Sequence, residues 1–377
     1  MKYKVTLLLL VGLLTSCSIN YEVTTNQVAN LVVDGEIVIP FAAPMSLTLY
    51  QKGEMDEYYP AYNSLMQTLH KEADRYHNYP GINNLKTIND SYGSGEAIVI
   101  NSDLYNLLEQ ALSLSELTDG YFNPTIGTLS DYWSPIINGE VSEINDNKVQ
   151  SALTCVSSVA ELRNVIKLDK ATSSVTFNTI PGCEGKGVIS LGGIAKGYAL
   201  DVAASLFSDT NVLLDGGRSS MRTLGTNPNP KRDTWNIAIL SPYNTNLGVL
   251  ALKGDLAFST SGDYEQAVVI NGVRYHHIIN PYTGYSENYY RSISLYSTGN
   301  ATVLDALSTA LFNVGGLGDL QSIISHVEKY YGIKIEVLLE QEVEDEKLNI
   351  YATNTFYGAM LDSEWSNSIN HLYVLGE

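Results

Sequence analysis

Apolar residues recur along this chain at two periods, and the switches between them mark its elements. Between Glu57 and Tyr76, residues Tyr58, Tyr62, Leu65, Met66, Leu69 and Ala73 share one face at helical spacing. Leu104, Leu107, Leu108, Ala111 and Leu112 do the same within Asp103–Ser115, with Ser102 or Asp103 as the expected cap. Further helices are predicted at 194–207, 301–312 and 319–331. Alternating or short apolar runs predict strands around 31–39 (broken by Asp34-Gly35) and 45–50, and again within 165–177 and at 211–214. More follow at 235–240, 249–253, 266–270 and 291–296. The stretch 77–95, rich in Asn, Tyr, Pro and Gly, reads as a loop, and the acidic run 340–347 as a solvated one. Strands and helices are interspersed with hairpin-like neighbours, so the expected class is α+β, mixed sheets with flanking helices.

Composition narrows the partners. The 377 residues carry a formal net charge of −19 and show no basic stripe, which argues against nucleic acid. At the start, Lys2 and Lys4 precede an apolar run from Val5 to Leu14, and Leu14-Thr15-Ser16-Cys17 follows. The run is short for a bilayer span. Its ending resembles the bacterial lipobox, in which the cysteine is lipidated and becomes the mature N-terminus. The expectation is a signal peptide at 1–16, lipidation at Cys17, a polar tether over 17–30 and one domain over 31–377, with a division into two subdomains left open. The body would then be extracytoplasmic and membrane-anchored. Cys155 and Cys183 remain, free or paired; their spacing decides neither.

Four segments combine small and polar residues beyond what packing requires. Ser190-Leu-Gly-Gly-Ile-Ala-Lys196-Gly-Tyr places paired glycines before a helix, where bare amides and a lysine suit a phosphate; such a pair is more often tight packing. In Asp305-Ala-Leu-Ser-Thr309 a carboxylate and a hydroxyl lie one helical turn apart, two hard oxygens on one face of the kind Mg²⁺ takes; a surface Asp is the plainer reading. Tyr275-His276-His277-Ile-Ile-Asn280-Pro-Tyr-Thr-Gly284 ends a strand in a turn. Strand neighbours face opposite ways, so one histidine at most enters a cleft as a base. Phe258-Ser-Thr-Ser-Gly-Asp263-Tyr264 reads as a hydroxyl-rich turn, either ligand-holding or structural. Asp119-Gly-Tyr121-Phe122-Asn123-Pro-Thr125 adds aromatic faces beside another turn. No Gly-x-Ser-x-Gly elbow or His-Glu-x-x-His occurs.

In this order, Leu191–Asp201, Ser259–Asp263, His277–Gly284 and Asp305–Thr309 resemble the ApbE-like flavin transferases, from about Met45 to the helix holding Asp305. The resemblance implies an ApbE-like, T-fold-related architecture and Mg²⁺-dependent transfer of FMN from FAD to a Thr or Ser hydroxyl of an acceptor protein, releasing AMP. By position, it implies metal ligation by Asp305, Thr309 and the Gly193 carbonyl. It implies an FAD pocket lined by Met45, Tyr79, Tyr121, Phe122, Asn123, Ser190, Lys196 and Ile278, with His277 as the base. The implied acceptor is a membrane electron-transfer subunit. The chain departs from the family pattern at Ser46-Leu47, where Gly-Thr is usual, and at Asn123, Ser190 and Asn280, where a carboxylate is usual. Two other outcomes fit the same residues: a metal-dependent FAD pyrophosphatase giving FMN and AMP, and a flavin-binding surface lipoprotein without catalysis.

Overall fold

The computed structural model describes residues 22–375 except 209, 230–232, 244, 344–345 and 362–368. The expected leader and Cys17 lie outside the described residues. Among those described, nine strands form one sheet whose spatial order follows the chain: Thr24–Gln27, Ser46–Leu49, Val212–Asp215, Ser220–Leu224, Leu256–Gly262, Ser292–Ser297, Glu336–Glu342, Leu348–Thr353 and Ile369–Leu375. Every neighbouring pair is antiparallel except the last, which is parallel.

Alternation along the central strand builds two cores. Ala257 packs into the main cluster on the helical face, whereas Leu256 and Phe258 join a second cluster on the other. The helical face carries Ala301–Phe312 laid over Leu256–Gly262 and Ser292–Ser297, with Ala195–Ala204 beside it. The Ala301–Phe312 helix is buried almost all round, which explains why it carries a single charged residue. Glu54–Ala73 and Ser102–Leu117 complete this layer, and the five residues expected to face inward from the latter are all buried. The opposite face is covered by the hairpin Trp235–Leu240/Asn246–Leu252. A three-stranded sheet, with Ser174–Phe177 between Ala97–Val99 and Ile166–Asp169, stands apart but shares the main core.

Several expectations change. Thr24–Gln27, inside the expected tether, is the sheet's edge strand; an edge tolerates polar residues because one side stays in water. The 77–95 loop contains a helix, Leu85–Asp90, started by an Asn84–Thr87 capping box. The cap of Ser102–Leu117 is Asn101, whose side chain accepts from no N–H of its helix and instead donates its amide to Glu72 at 2.6 Å. The acidic run begins inside a strand, Glu336–Glu342, with Glu340 fully buried. The hydroxyl-rich segment at 258–264 is mostly strand, not turn.

Candidate functional site

Asp305 is the one charged residue in its buried helix, at 4% exposure. An ionised carboxylate there must be met by donors. The Gly197 N–H donates to Oδ2 at 2.9 Å, and the Ser220 hydroxyl donates to Oδ1 at 2.9 Å. Gly197 is obligatory for this approach, because a Cβ would collide with the Ala301 carbonyl and stand 2.8 Å from the Asp305 Cβ. Gly197→Ala is therefore expected to wedge the two helices apart at a cost of about 1–3 kcal/mol. Thermal unfolding of that variant reads the cost, and an unchanged melting temperature would contradict the contact.

Thr309 lies one turn further on, its hydroxyl donating to the Asp305 carbonyl at 3.2 Å. The glycine turn presses against it: a Cβ at Gly193 would lie 3.0 Å from Thr309 Oγ1 and 3.5 Å from Phe122. Gly193 thus meets Thr309 one helical turn from Asp305, though 112 residues separate Gly193 from Asp305 (305 − 193). Each Asp305 oxygen accepts one hydrogen bond and keeps further lone-pair capacity. The donors gathered here are all hard oxygens, with one carboxylate, a chemistry that fits a Mg²⁺-like cation. Among the described residues no three His, Cys, Asp or Glu side chains cluster as a metal set, so a cation at this place would rest on one carboxylate and neutral oxygens.

The neighbouring walls come from two turns. The Ser190 N–H donates to the Pro124 carbonyl at 2.8 Å, and the Gly127 N–H to the Val188 carbonyl at 3.0 Å. Asn123 is buried and occupied: its amide donates to the Ser157 carbonyl at 2.8 Å, and its oxygen accepts from the Thr125 N–H and hydroxyl. Asn280 does the same in its own turn, donating to Glu287 and accepting from the Tyr282 N–H. At both positions an amide serves as donor and acceptor at once, which a carboxylate cannot do. Half-buried Lys196 reaches back to the Gly192 carbonyl at 3.4 Å. The Tyr121 ring meets Tyr282 edge-on at 5.2 Å. Met45, Phe122 and Ile278 lie buried in the main core. Tyr79, its hydroxyl tied to Asp74 at 2.8 Å, lines a pocket of about 300 Å³ with Leu31, Val33, Asp34, Lys71 and Asn78.

The paired histidines part as alternation requires. His276 is buried; its Nε2–H donates to the Glu287 carbonyl at 2.8 Å and its Nδ1 accepts from the Ile278 N–H at 3.3 Å. Both nitrogens are occupied, and burial lowers its pKa, so it is a neutral structural ring. His277 is exposed. Dense protein packed beside its ring desolvates it, and His276 and Lys196 disfavour a further positive charge, so its pKa falls toward about 4. It is a neutral imidazole with an acceptor nitrogen at neutral pH.

The hydroxyl-rich segment is scaffold. Ser261 donates to Ser308 at 2.9 Å, and Ser259 contacts the same hydroxyl at 3.3 Å, which fixes the Asp305 helix on its strand. Asp263 is buried between Arg291, at 2.7 Å, and Arg274, at 2.8 Å. Sequence reasoning missed Ser220 and the turn before it, although Asp215-Gly-Gly-Arg218 is a second glycine pair whose Asp215 carboxylate accepts from the Gly217 and Arg218 amides. It also missed Ser157, which carries no local signal.

A model of the ApbE family matches residues 41–330. The chain is similar to the FAD:protein FMN transferase of Treponema pallidum (strain Nichols), at 31% identity over 61% of this chain and 65% of that protein. It is also similar to that of Rhodobacter capsulatus, at 27% identity over 61% of this chain and 42% of the relative. The matched region thus spans less than two thirds of these relatives' lengths. Among solved structures, an ApbE protein from Thermotoga maritima superposes with a TM-score of 0.68 at 26% identity, covering 90% of this chain and all of that one. The flavin transferase ApbE from Vibrio cholerae, at 20% identity and a TM-score of 0.66, shares the fold.

Proposed function

The chain belongs to the ApbE family, and from that premise we propose that it transfers FMN from FAD to a Thr or Ser hydroxyl of an acceptor protein, releasing AMP. The observation that carries this reading is the meeting of Gly193, Thr309 and Phe122 one helical turn from a carboxylate held by a backbone N–H and a serine hydroxyl. Asp305, Thr309 and the Gly193 carbonyl would hold Mg²⁺. Bound there, the ion supplies positive charge to the FAD pyrophosphate and to the departing AMP.

The chain's own groups do the rest. His277 takes the proton from the acceptor hydroxyl, whose oxygen bonds to the FMN-side phosphorus as the bridging bond to AMP breaks. Lys196 stands at the first turn of its helix, where a cation and bare amides favour phosphate oxygens. Tyr121, Phe122, Asn123 and Ser190 form the nucleotide wall with Met45 and Ile278 as apolar floor, and the Tyr79 pocket takes one ring of the dinucleotide. The exposure of His277 supports a macromolecular acceptor, since the base stands where a protein segment reaches it.

The address follows from the leader: lipidation at Cys17 would hold the body on the outer side of a membrane, near electron-transfer subunits that carry flavin. A Cys155–Cys183 disulfide in the structure supports an oxidising compartment. Among the described residues no helix is long and apolar enough to cross a membrane.

The test is to incubate the full chain in detergent with FAD and Mg²⁺, with and without a Thr-containing acceptor domain, and to follow AMP and acceptor-bound flavin fluorescence. AMP with a fluorescent acceptor is the expected result. AMP with free FMN and an unlabelled acceptor would replace transfer by hydrolysis, and tight FAD binding without AMP would leave a binding protein.

A further inference from the structure

Three segments that are distant in sequence meet behind the nucleotide wall. The turn at 121–127 receives the Ser157 N–H on the Thr125 hydroxyl at 2.8 Å and gives the Asn123 amide to the Ser157 carbonyl at 2.8 Å. On its other side it is tied to Val188 and Ser190 through backbone hydrogen bonds of 3.0 and 2.8 Å. Cys155 lies two residues before Ser157, and Cys183 lies five before Val188. Their disulfide, with Cα atoms 4.4 Å apart, links the two outer segments directly. The Glu184 N–H, donating to the Thr154 hydroxyl at 3.1 Å beside it, reinforces the link. The arrangement is a closed triangle: turn to Ser157, Ser157 to the disulfide, and the disulfide back through 183–190 to the turn.

We infer that the Cys155–Cys183 disulfide is a positioning clamp for the nucleotide wall: oxidised, it holds Phe122, Asn123 and Ser190 in register, and reduced, it lets the wall loosen while Asp305 and Thr309 stay in place. The assignment to a nucleotide rests on the function proposed above, whereas the clamp itself does not. Asp305 and Thr309 sit on a helix anchored by Gly197, Ser220 and Ser261, none of which is tied to the triangle by a hydrogen bond. Loss of the clamp should therefore appear in binding more than in turnover. Reduction by a phosphine breaks the S–S bond, adds two electrons and two protons to give two thiols, and leaves the phosphine oxide, with its oxygen taken from water.

The experiment compares the full chain before and after complete phosphine reduction, and the Cys155→Ala/Cys183→Ala double variant. In the reduced protein, KM for FAD should rise about tenfold, the scale of losing a hydrogen-bonded constraint on a binding wall, while kcat stays within about twofold. The double variant should show the raised KM and no response to phosphine. Amide hydrogen exchange across 121–127 should quicken on reduction, a readout that needs no substrate. If oxidised protein neither binds nor turns over FAD, the functional reading fails and the exchange measurement alone decides the clamp. Should reduction unfold the chain, Thr125→Val carries the test, because it removes one of the two Ser157 ties, the one to the Thr125 hydroxyl, and keeps the disulfide; it should raise both KM and exchange. Unchanged KM and exchange on reduction with the fold intact, or in Thr125→Val, would overturn the proposal.

Discussion

Asp305→Asn is expected to lower metal-dependent turnover by about 10²–10³-fold while leaving the fold intact. The choice of asparagine follows from the two hydrogen bonds around the carboxylate. The Gly197 N–H is a fixed donor, so the amide oxygen must face it. The Ser220 hydroxyl rotates, and its oxygen can accept from the amide NH₂ in place of donating to Oδ1. Both contacts survive in the variant and only the negative charge is lost. Asp305→Ala differs: it strands the buried Gly197 and Ser220 donors, at roughly 1–3 kcal/mol each, and confounds lost activity with lost stability. Comparing the two separates the roles. Asparagine should melt near the wild-type temperature and be inactive, and alanine should be inactive and melt lower. Wild-type AMP formation with unchanged Mg²⁺ dependence in Asp305→Asn would remove Asp305 from the chemistry.

Local spacing made part of this site readable. Asp305 and Thr309 share a helix face because four residues make about one turn, and the inward face of Ser102–Leu117 follows from the same period. The partition of His276 and His277 follows from strand alternation. What the pattern does not contain is partnership across the fold. Ser220 is an ordinary serine until the sheet brings it to Asp305, 85 residues away (305 − 220). Glu340 shows the error in the other direction. Read along the chain, it opens an acidic, water-facing run, yet it lies in an inner strand paired with Ser292–Ser297. Burial pushes its carboxyl up to about 8 against the opposing pull of Arg291, so it enters the core as the neutral acid. Thr24–Gln27 shows the converse: polarity alone does not separate a solvated tether from an edge strand. Residues 116–164 gave no helical reading, although they hold Gly127–Ile137, Asp146–Leu153 and Val159–Val165. Proline inside the first and the shortness of the others blur the helical period there.

His277→Ala is expected to cut acceptor flavinylation by about 10²–10⁴-fold, the range for removing a general base, with little change in FAD affinity. The pH dependence makes this specific to His277. A base works deprotonated, so its rate is lost as pH falls through its pKa in the folded protein. An unperturbed imidazole would place that loss near about 6.5. Here desolvation of the ring, followed by the neighbouring His276 and Lys196, moves the pKa down toward about 4. The wild-type rate should therefore stay level as pH is lowered from about 8 to about 5.5, with its acid limb below that. His276→Ala supplies the contrast. That ring bonds only structural partners, so its loss should lower the melting temperature by stranding the Glu287 carbonyl and the Ile278 N–H; flavinylation should persist, with its acid limb moved upward because one group that disfavours the His277 charge is gone. A His277→Ala variant that labels acceptor at the wild-type rate would return the proton to water or to the acceptor itself. An acid limb near about 6.5 that vanishes in that variant would keep His277 as the base and place its ring in water rather than against the cleft wall.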